Sequence, residues 1–329
     1  MRIGIIGTGA MACLFAGRLE PLAEVVLVGS WREQLAALQD GLSLVQADGH
    51  ITRHWVTATD RPETVSPVDV ALVLVKSYQT QAAIGRIRPI LADYGPIITL
   101  QNGGGNLEQL CQEFGEERTT VGVTSQGAAL VRPGVVMDTG PGVTYLAHPA
   151  RLAGKLGGII TYLRAAHFDL RLVKNADSLI WGKLAVNAGI NPLTSLLNVP
   201  NGFLAENATA RQVLLAAAQE VEAVAASQGI RLPYADTHSA AAEALRVAQA
   251  TADNISSMLQ DIRRGSRTEV DAICGVVVEV GRRQGVPTPV NAQLWAWVKA
   301  REQQTTVDDW RLTVRGEMLD LAPLVFREM

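Results

Sequence analysis

Apolar residues follow two different rhythms along this chain. In the first half, short unbroken apolar runs alternate with stretches of helical spacing. Residues 2–6 are such a run and end at Gly7, and residues 10–19 then carry the three-to-four-residue periodicity of a helix. Unbroken runs of this length suit strands buried on both faces, and the periodic stretches suit helices that cover them. The pattern predicts further strands over 24–28, 70–75, 96–100, 120–124 and 170–174, and helices over 31–39, 79–91, 107–114 and 155–165. Residues 42–46 and 51–57 look like an antiparallel pair, because Asp48-Gly49 between them is a hairpin-turn dipeptide. The Gly/Pro-punctuated stretch 127–147 reads as a hairpin appended to the main sheet. Repeated βα units of this kind imply a parallel sheet with helices on both faces.

From about residue 175 the character changes. Residues 176–190, 204–228, 236–252 and 268–284 all read as helices rich in Ala, Leu, Val and Glu. The breaks fall at Asn191-Pro192, at Val199-Pro200-Asn201-Gly202, between Gly229 and Pro233, and between Gly285 and Pro289. Two domains are expected, an α/β domain over 1–174 and an all-helical domain over 175–329.

Composition narrows the class. Lys and Arg number 29 against 32 Asp and Glu, a net charge of −3, without the basic excess of a nucleic-acid protein. With 48% hydrophobic and 19% charged residues, the chain can bury a large core, and disorder is excluded. Its apolar runs are far shorter than the roughly 20 residues of a membrane span, and no signal peptide is expected. Cys13, Cys111 and Cys274 are an odd number without CxxC spacing. They fit a reducing cytoplasm better than a disulfide framework, and the five scattered histidines give no metal site.

Candidate chemistry begins at Gly7-Thr8-Gly9-Ala10-Met11-Ala12, which matches GxGxxG/A between the first strand and the first helix. In that place the first glycine permits a tight turn. The second lets the backbone approach a pyrophosphate that rests on the helix N-terminus. The expectation is a Rossmann-type doubly wound sheet whose loop residues Gly7, Gly9, Ala10, Met11 and Ala12 hold a dinucleotide. The second strand ends in Gly29-Ser30-Trp31-Arg32, with no acid at Gly29 or Ser30 to take a ribose 2′-hydroxyl. A carboxylate there would repel a 2′-phosphate, whereas the Arg32 guanidinium can pair with one, so NADP(H) is favoured over NAD.

In the helical half, Lys183, Asn187 and Asn191 are spaced by four and four, with Asn191 expected at the helix end before Pro192. Their apolar neighbours Ile180, Leu184, Val186 and Ile190 argue that the stripe is not freely solvated, so the lysine needs a partner or a shifted pKa. A snorkelling lysine beside two capping amides is the plainer alternative. Glu269 is expected to open the helix that begins near Thr268, and Ser256-Ser257 precedes Met258-Leu259-Gln260-Asp261. Asn102-Gly103-Gly104-Gly105 and Lys76 follow strands at the edge where open α/β sheets bind ligands.

These segments together resemble the 2-dehydropantoate 2-reductase (ketopantoate reductase) family. Trp181-Gly182-Lys183-Leu184-Ala185-Val186-Asn187, continuing to Asn191-Pro192-Leu193-Thr194, is similar to that family's W-x-K-L-x-x-N-x-x-x-N-P-L-T helix. Ser256-Ser257-Met258-Leu259-Gln260-Asp261 with Thr268-Glu269-Val270-Asp271 is similar to its S-S-M-L-Q-D and T-E-I-D segments. Lys76-Ser77-Tyr78-Gln79 and Asn102-Gly103-Gly104-Gly105 fit its K-x-x-Q and N-G-x-G loops. The resemblance runs from residue 1 to about 303. It implies NADPH-dependent reduction of ketopantoate to pantoate, a step of pantothenate biosynthesis. It further implies Lys183 as general acid, Glu269 as the assisting acid, and Asn102, Asn187, Asn191 and Ser257 as substrate contacts. Lys76 and Asn102 would stand near the nicotinamide. Its partners would be a small 2-oxo acid, no nucleic acid and no membrane, with a homodimer left open. Two departures stand out: Gly104 replaces a bulkier residue, and Thr305 to Met329 extends past the usual end. The alternatives are a relative acting on another 2-oxo acid or an imine, and a dinucleotide sensor without catalysis.

Overall fold

In the computed structural model, which describes residues 1–303, the contacts divide the chain into two units. One comprises Met1–Gln101 and Gly105–Ala176, the other Asn102–Gly104 and the chain from Asp177 on. The extension from Thr305 to Met329 lies outside the described residues.

The first unit is built on β1 (Arg2–Ile6), α1 (Ala10–Leu19), β2 (Glu24–Val28), α2 (Arg32–Gln39), β3 (Leu42–Val45), β4 (Ile51–His54) and β5 (Thr57–Thr59). It continues through β6 (Val70–Val73), α3 (Thr80–Ile87), β7 (Ile97–Thr99), α4 (Asn106–Phe114) and β8 (Thr119–Thr124). It ends with β9 (Gly127–Arg132), β10 (Val135–Gly140), β11 (Val143–Ala147), α5 (Ala153–Ala165) and β12 (Asp169–Val173). The main sheet runs β12-β11-β8-β7-β6-β1-β2-β5, parallel from β8 to β5, with β11 antiparallel to β8. Ile5 of β1 pairs with Leu27 on one side and Leu72 on the other, inside a core shared with Phe15 of α1 and Ile159 of α5. Ile6 points to the opposite face and packs with Ile84 and Ile87 of α3 and Leu110 of α4. Burial on both faces is why these strands read as unbroken apolar runs.

Two expectations in this half are corrected. Residues 51–57 are not one strand: β4 pairs with β3 in the expected hairpin, whereas β5 leaves to join β2 in the main sheet. Nor is 127–147 appended to the main sheet as a hairpin. β9 and β10 form a second sheet, ordered β4-β3-β10-β9, and only β11 returns to the first. The reason is tertiary. Leu42 and Leu44 of β3 and Val136 of β10 present one apolar face, and that face is buried against α1, where Gly17 leaves room for Leu44. The buried Gln34 amide fixes the turn of the β9–β10 hairpin, its oxygen accepting from Gly134 N at 3.0 Å while its nitrogen donates to Cys13 Sγ at 3.1 Å.

The second unit is helical: α6 (Asp177–Leu197), α7 (Phe203–Glu206), α8 (Ala208–Ser227), α9 (Ala240–Ala250), α10 (Ser257–Arg263), α11 (Val276–Gln284) and α12 (Pro289–Gln303). Asn207 interrupts the stretch expected to be a single helix over 204–228, and its side chain accepts from Ala210 N at 3.0 Å to cap α8. α12 was not foreseen. The larger correction is that α6 does not stop at Asn191-Pro192 but runs straight through Pro192. An interior proline costs a helix about 3 kcal/mol. Leu193 and Leu196, both buried here, each recover about 1.5–3 kcal/mol on the usual apolar scale, enough to offset it. Among the described residues, no helix is long and apolar enough to cross a membrane.

Candidate active site

The carboxyl ends of β2, β1 and β6 lie side by side, and the chain leaves β1 toward β2 but returns on its other side as β6. Such a reversal opens a crevice at the strand ends. Gly7 turns there with φ +131°, and a Cβ on it would sit 2.9 Å from the Leu74 carbonyl oxygen, so no side chain fits. Gly9 is different. It is exposed at the N-terminus of α1, and a Cβ on it would meet nothing within 4 Å. The fold does not require glycine at that position, but a phosphate pressed against the backbone would. Ala10 and Met11 follow half-buried and Ala12 buried in the first turn of α1. Arg32 is exposed at the first position of α2, one residue later than the expected start. Lys76 is half-buried just after β6. Its backbone is pinned, its carbonyl accepting from Gln79 N at 2.8 Å and from Gln101 Nε2 at 3.5 Å. These residues suit a dinucleotide whose pyrophosphate meets Gly9 and whose 2′-phosphate meets Arg32.

In the second unit, Lys183, Asn187 and Asn191 form one stripe of α6, and because the helix continues past Pro192, all three share it. Lys183 Nζ donates to Asn102 Oδ1 at 2.7 Å, and Asn102 Nδ2 donates to Glu269 Oε2 at 3.5 Å. Asn102 therefore stands between an ammonium and a carboxylate and bridges them. Burial lowers the Lys183 pKa to about 8, against the attraction of Glu269, which raises it. At neutral pH such a lysine keeps its proton but holds it less tightly than a solvated one.

The backbone explains why these three meet. Gly103, at φ +83°, has no room for a side chain, since a Cβ would lie 2.5 Å from the Ala272 carbonyl oxygen. Gly104 N donates to that same oxygen at 2.9 Å. The departure at Gly104 has a local account: a Cβ there would come within 3.1 Å of Val276 Cγ2. Glu269 is 5% exposed and lies at a bend rather than within the first helical turn. After it the chain makes a π-helical turn, Asp271–Gly275, before α11, in place of the continuous helix expected over 268–284.

Ser256 and Ser257 divide their work. Ser256 is buried, caps α10 by accepting from Leu259 N at 3.2 Å, and shares a 2.7 Å hydroxyl contact with Thr194 of α6. Ser257 is exposed at the first position of α10. Thr194 was not singled out from the sequence, although it closes the N-P-L-T motif. Its hydroxyl also donates to the Ile190 and Asn191 carbonyls, which supports the backbone around Pro192.

Known proteins resemble this chain over most of its length. The family model described as ketopantoate reductase PanE/ApbA matches residues 3–151, and the model of that family's C-terminal part matches residues 175–302. A 2-dehydropantoate 2-reductase of Halobacterium salinarum is 36% identical over 299 residues, spanning 88% of this chain and 95% of its own. The crystal structure of a PanE/ApbA family ketopantoate reductase from Ralstonia eutropha JMP134 superposes with a TM-score of 0.82 at 28% identity, covering 92% of this chain and 98% of that one. A D-mandelate dehydrogenase solved with NADH and anilino(oxo)acetate reaches a TM-score of 0.84 over 92% of this chain and 98% of its own. At 24% identity that last likeness speaks for the fold alone. By its sequence over most of its length and by its architecture, the chain belongs to the ketopantoate reductase family.

Proposed function

We propose that this protein reduces ketopantoate to pantoate with NADPH, and that Lys183 protonates the oxygen of the reacting carbonyl. The observation that carries this reading is the Lys183–Asn102–Glu269 line, which holds a partly desolvated lysine ready to donate. When bound, the dinucleotide would supply the hydride. The chain's own residues do the rest. Negative charge grows on the carbonyl oxygen as its carbon is reduced. The Lys183 ammonium stabilises that charge and then gives up a proton, leaving an alcohol and a neutral amine. Asn102 fixes the direction in which the ammonium points, and Glu269 keeps it charged. Asn187, Asn191 and Ser257 offer amide and hydroxyl groups to the substrate's carboxylate and hydroxyl. The first unit takes the cofactor through Gly7, Gly9, Ala10, Met11, Ala12, Arg32 and Lys76. We read the protein as cytoplasmic, in line with its free cysteines Cys13, Cys111 and Cys274.

NADPH oxidation against a panel of 2-oxo acids tests the substrate. The highest kcat/KM is expected for ketopantoate, with pantoate as product, and a clear preference for another 2-oxo acid overturns the assignment. The cofactor is tested separately. NADPH should bind more tightly than NADH, and Arg32→Ala should narrow that ratio by about tenfold or more, the weight of a charge-assisted phosphate contact. Equal affinities in the unmodified protein would rule this out.

A further inference from the structure

The segment that carries Glu269 is gripped from both sides by a single face of α12. Trp295, Lys299 and Glu302 recur at i, i+4 and i+7 and so share that face. Before Glu269, the fully buried Thr268 donates both its backbone N–H and its hydroxyl to Glu302 Oε1, each at 2.6 Å. After Glu269, Asp271 accepts from Trp295 Nε1 at 2.8 Å and from Lys299 Nζ at 3.1 Å. Lys299 closes the loop by pairing with Glu302 Oε2 at 3.0 Å.

This is not a solvated surface pair of the kind that contributes little. The Glu302 side chain is only 10% exposed, and an ionised acceptor with two short donors is among the strongest hydrogen-bonded arrangements. The π-helical turn that follows runs against the same face: a Cβ on Gly275 would lie 3.1 Å from the Trp295 ring. π-turns are uncommon overall but frequent at functional sites. Here the anchored turn also carries the Ala272 carbonyl that receives Gly104 N, and therefore sets the loop of Asn102.

We propose that Glu302, with Lys299 and Trp295, is a positioning clamp that sets the reach of Glu269 and of Asn102 toward Lys183. The proposal rests on the reading of Lys183 and Glu269 given above. Neither Glu302 nor Thr268 handles the proton; they fix the height of the turn that presents Glu269. A misplacement of about 1 Å in such a group can cost about a hundredfold in rate.

The test is a set of variants of the full chain assayed with ketopantoate and NADPH, with turnover counted per folded molecule. Glu302→Ala should slow turnover by about tenfold to about a hundredfold with NADPH affinity unchanged. Glu302→Gln keeps an oxygen for both Thr268 donors and should restore most of the rate. Thr268→Val, which keeps the shape but removes one donor, should be slowed in the same direction and serves if Glu302→Ala does not fold. The deciding comparison uses the Glu269→Ala background, where adding Glu302→Ala should cost clearly less than in the unmodified protein, because the clamp acts in part through Glu269. Unchanged turnover per folded Glu302→Ala and Thr268→Val molecule overturns the clamp. So does a Glu302→Ala penalty as large without Glu269 as with it. A Glu269→Ala enzyme with full turnover instead overturns the reading of Glu269 itself, and the clamp with it.

Discussion

Lys183→Ala is expected to lose at least about a hundredfold in turnover while its fold and its NADPH affinity stay intact. Removing a preorganised donor aimed at developing charge typically costs about 10²–10³ in rate, and removing a general acid about 10²–10⁴. Both losses describe the same side chain, so they overlap and are not multiplied. The fold should survive because Lys183 is a half-buried residue of α6, whereas the helix is held by Leu184, Ala185 and Ala188, all in the core. Circular dichroism and NADPH titration check those two conditions. Glu269→Ala should be slowed too, by less, since it keeps Lys183 charged and oriented without donating. A Lys183→Ala enzyme that kept more than about a tenth of wild-type turnover would refute the assignment and leave Lys76 as the next candidate.

The second large effect is on substrate affinity. Asn187→Ala and Ser257→Ala should each raise the Michaelis constant strongly and leave NADPH affinity nearly unchanged. A hydrogen bond to a charged carboxylate is worth about 1.5–3 kcal/mol, which is about tenfold to about a hundredfold in binding. Asn187 lies one turn beyond Lys183 on α6. Ser257 is exposed, and the Ser256–Thr194 contact beside it ties α10 to the same helix. Neither substitution removes a buried core group, so stability should change little. A parallel loss of NADPH affinity would show that these side chains serve the cofactor or the fold instead.

What the sequence disclosed and what it hid have separate physical causes. The βα alternation was legible because residues such as Ile5 and Ile6 face opposite cores and must both be apolar. The destination of β5 was not, because a strand's partner depends on distant residues: Thr57–Thr59 reads the same whether it extends β4 or joins β2. Pro192 signalled a helix end by its local chemistry, and tertiary burial overrode it. In the site, the four-residue spacing put Lys183 and Asn187 on one helix face, but no spacing could join Lys183 to Asn102 across 81 residues, or Asn102 to Glu269 across 167. The family motifs named those residues without saying that an asparagine bridges the other two. Glu302 had no signal at all, because the helix that carries it was not foreseen.

The pH dependence of kcat/KM for ketopantoate, measured at saturating NADPH, tests most directly the claim that Lys183 is the proton donor. In kcat/KM the titrating group belongs to the enzyme not yet bound to the substrate. Below its pKa the lysine is an ammonium and can donate; above it the proton is gone and so is the acid. With burial lowering that pKa to about 8, kcat/KM should hold through neutral pH and fall on the alkaline side through an apparent pKa near 8. Activity that stays flat well into the alkaline range, or that rises there, would contradict a lysine acid at this site.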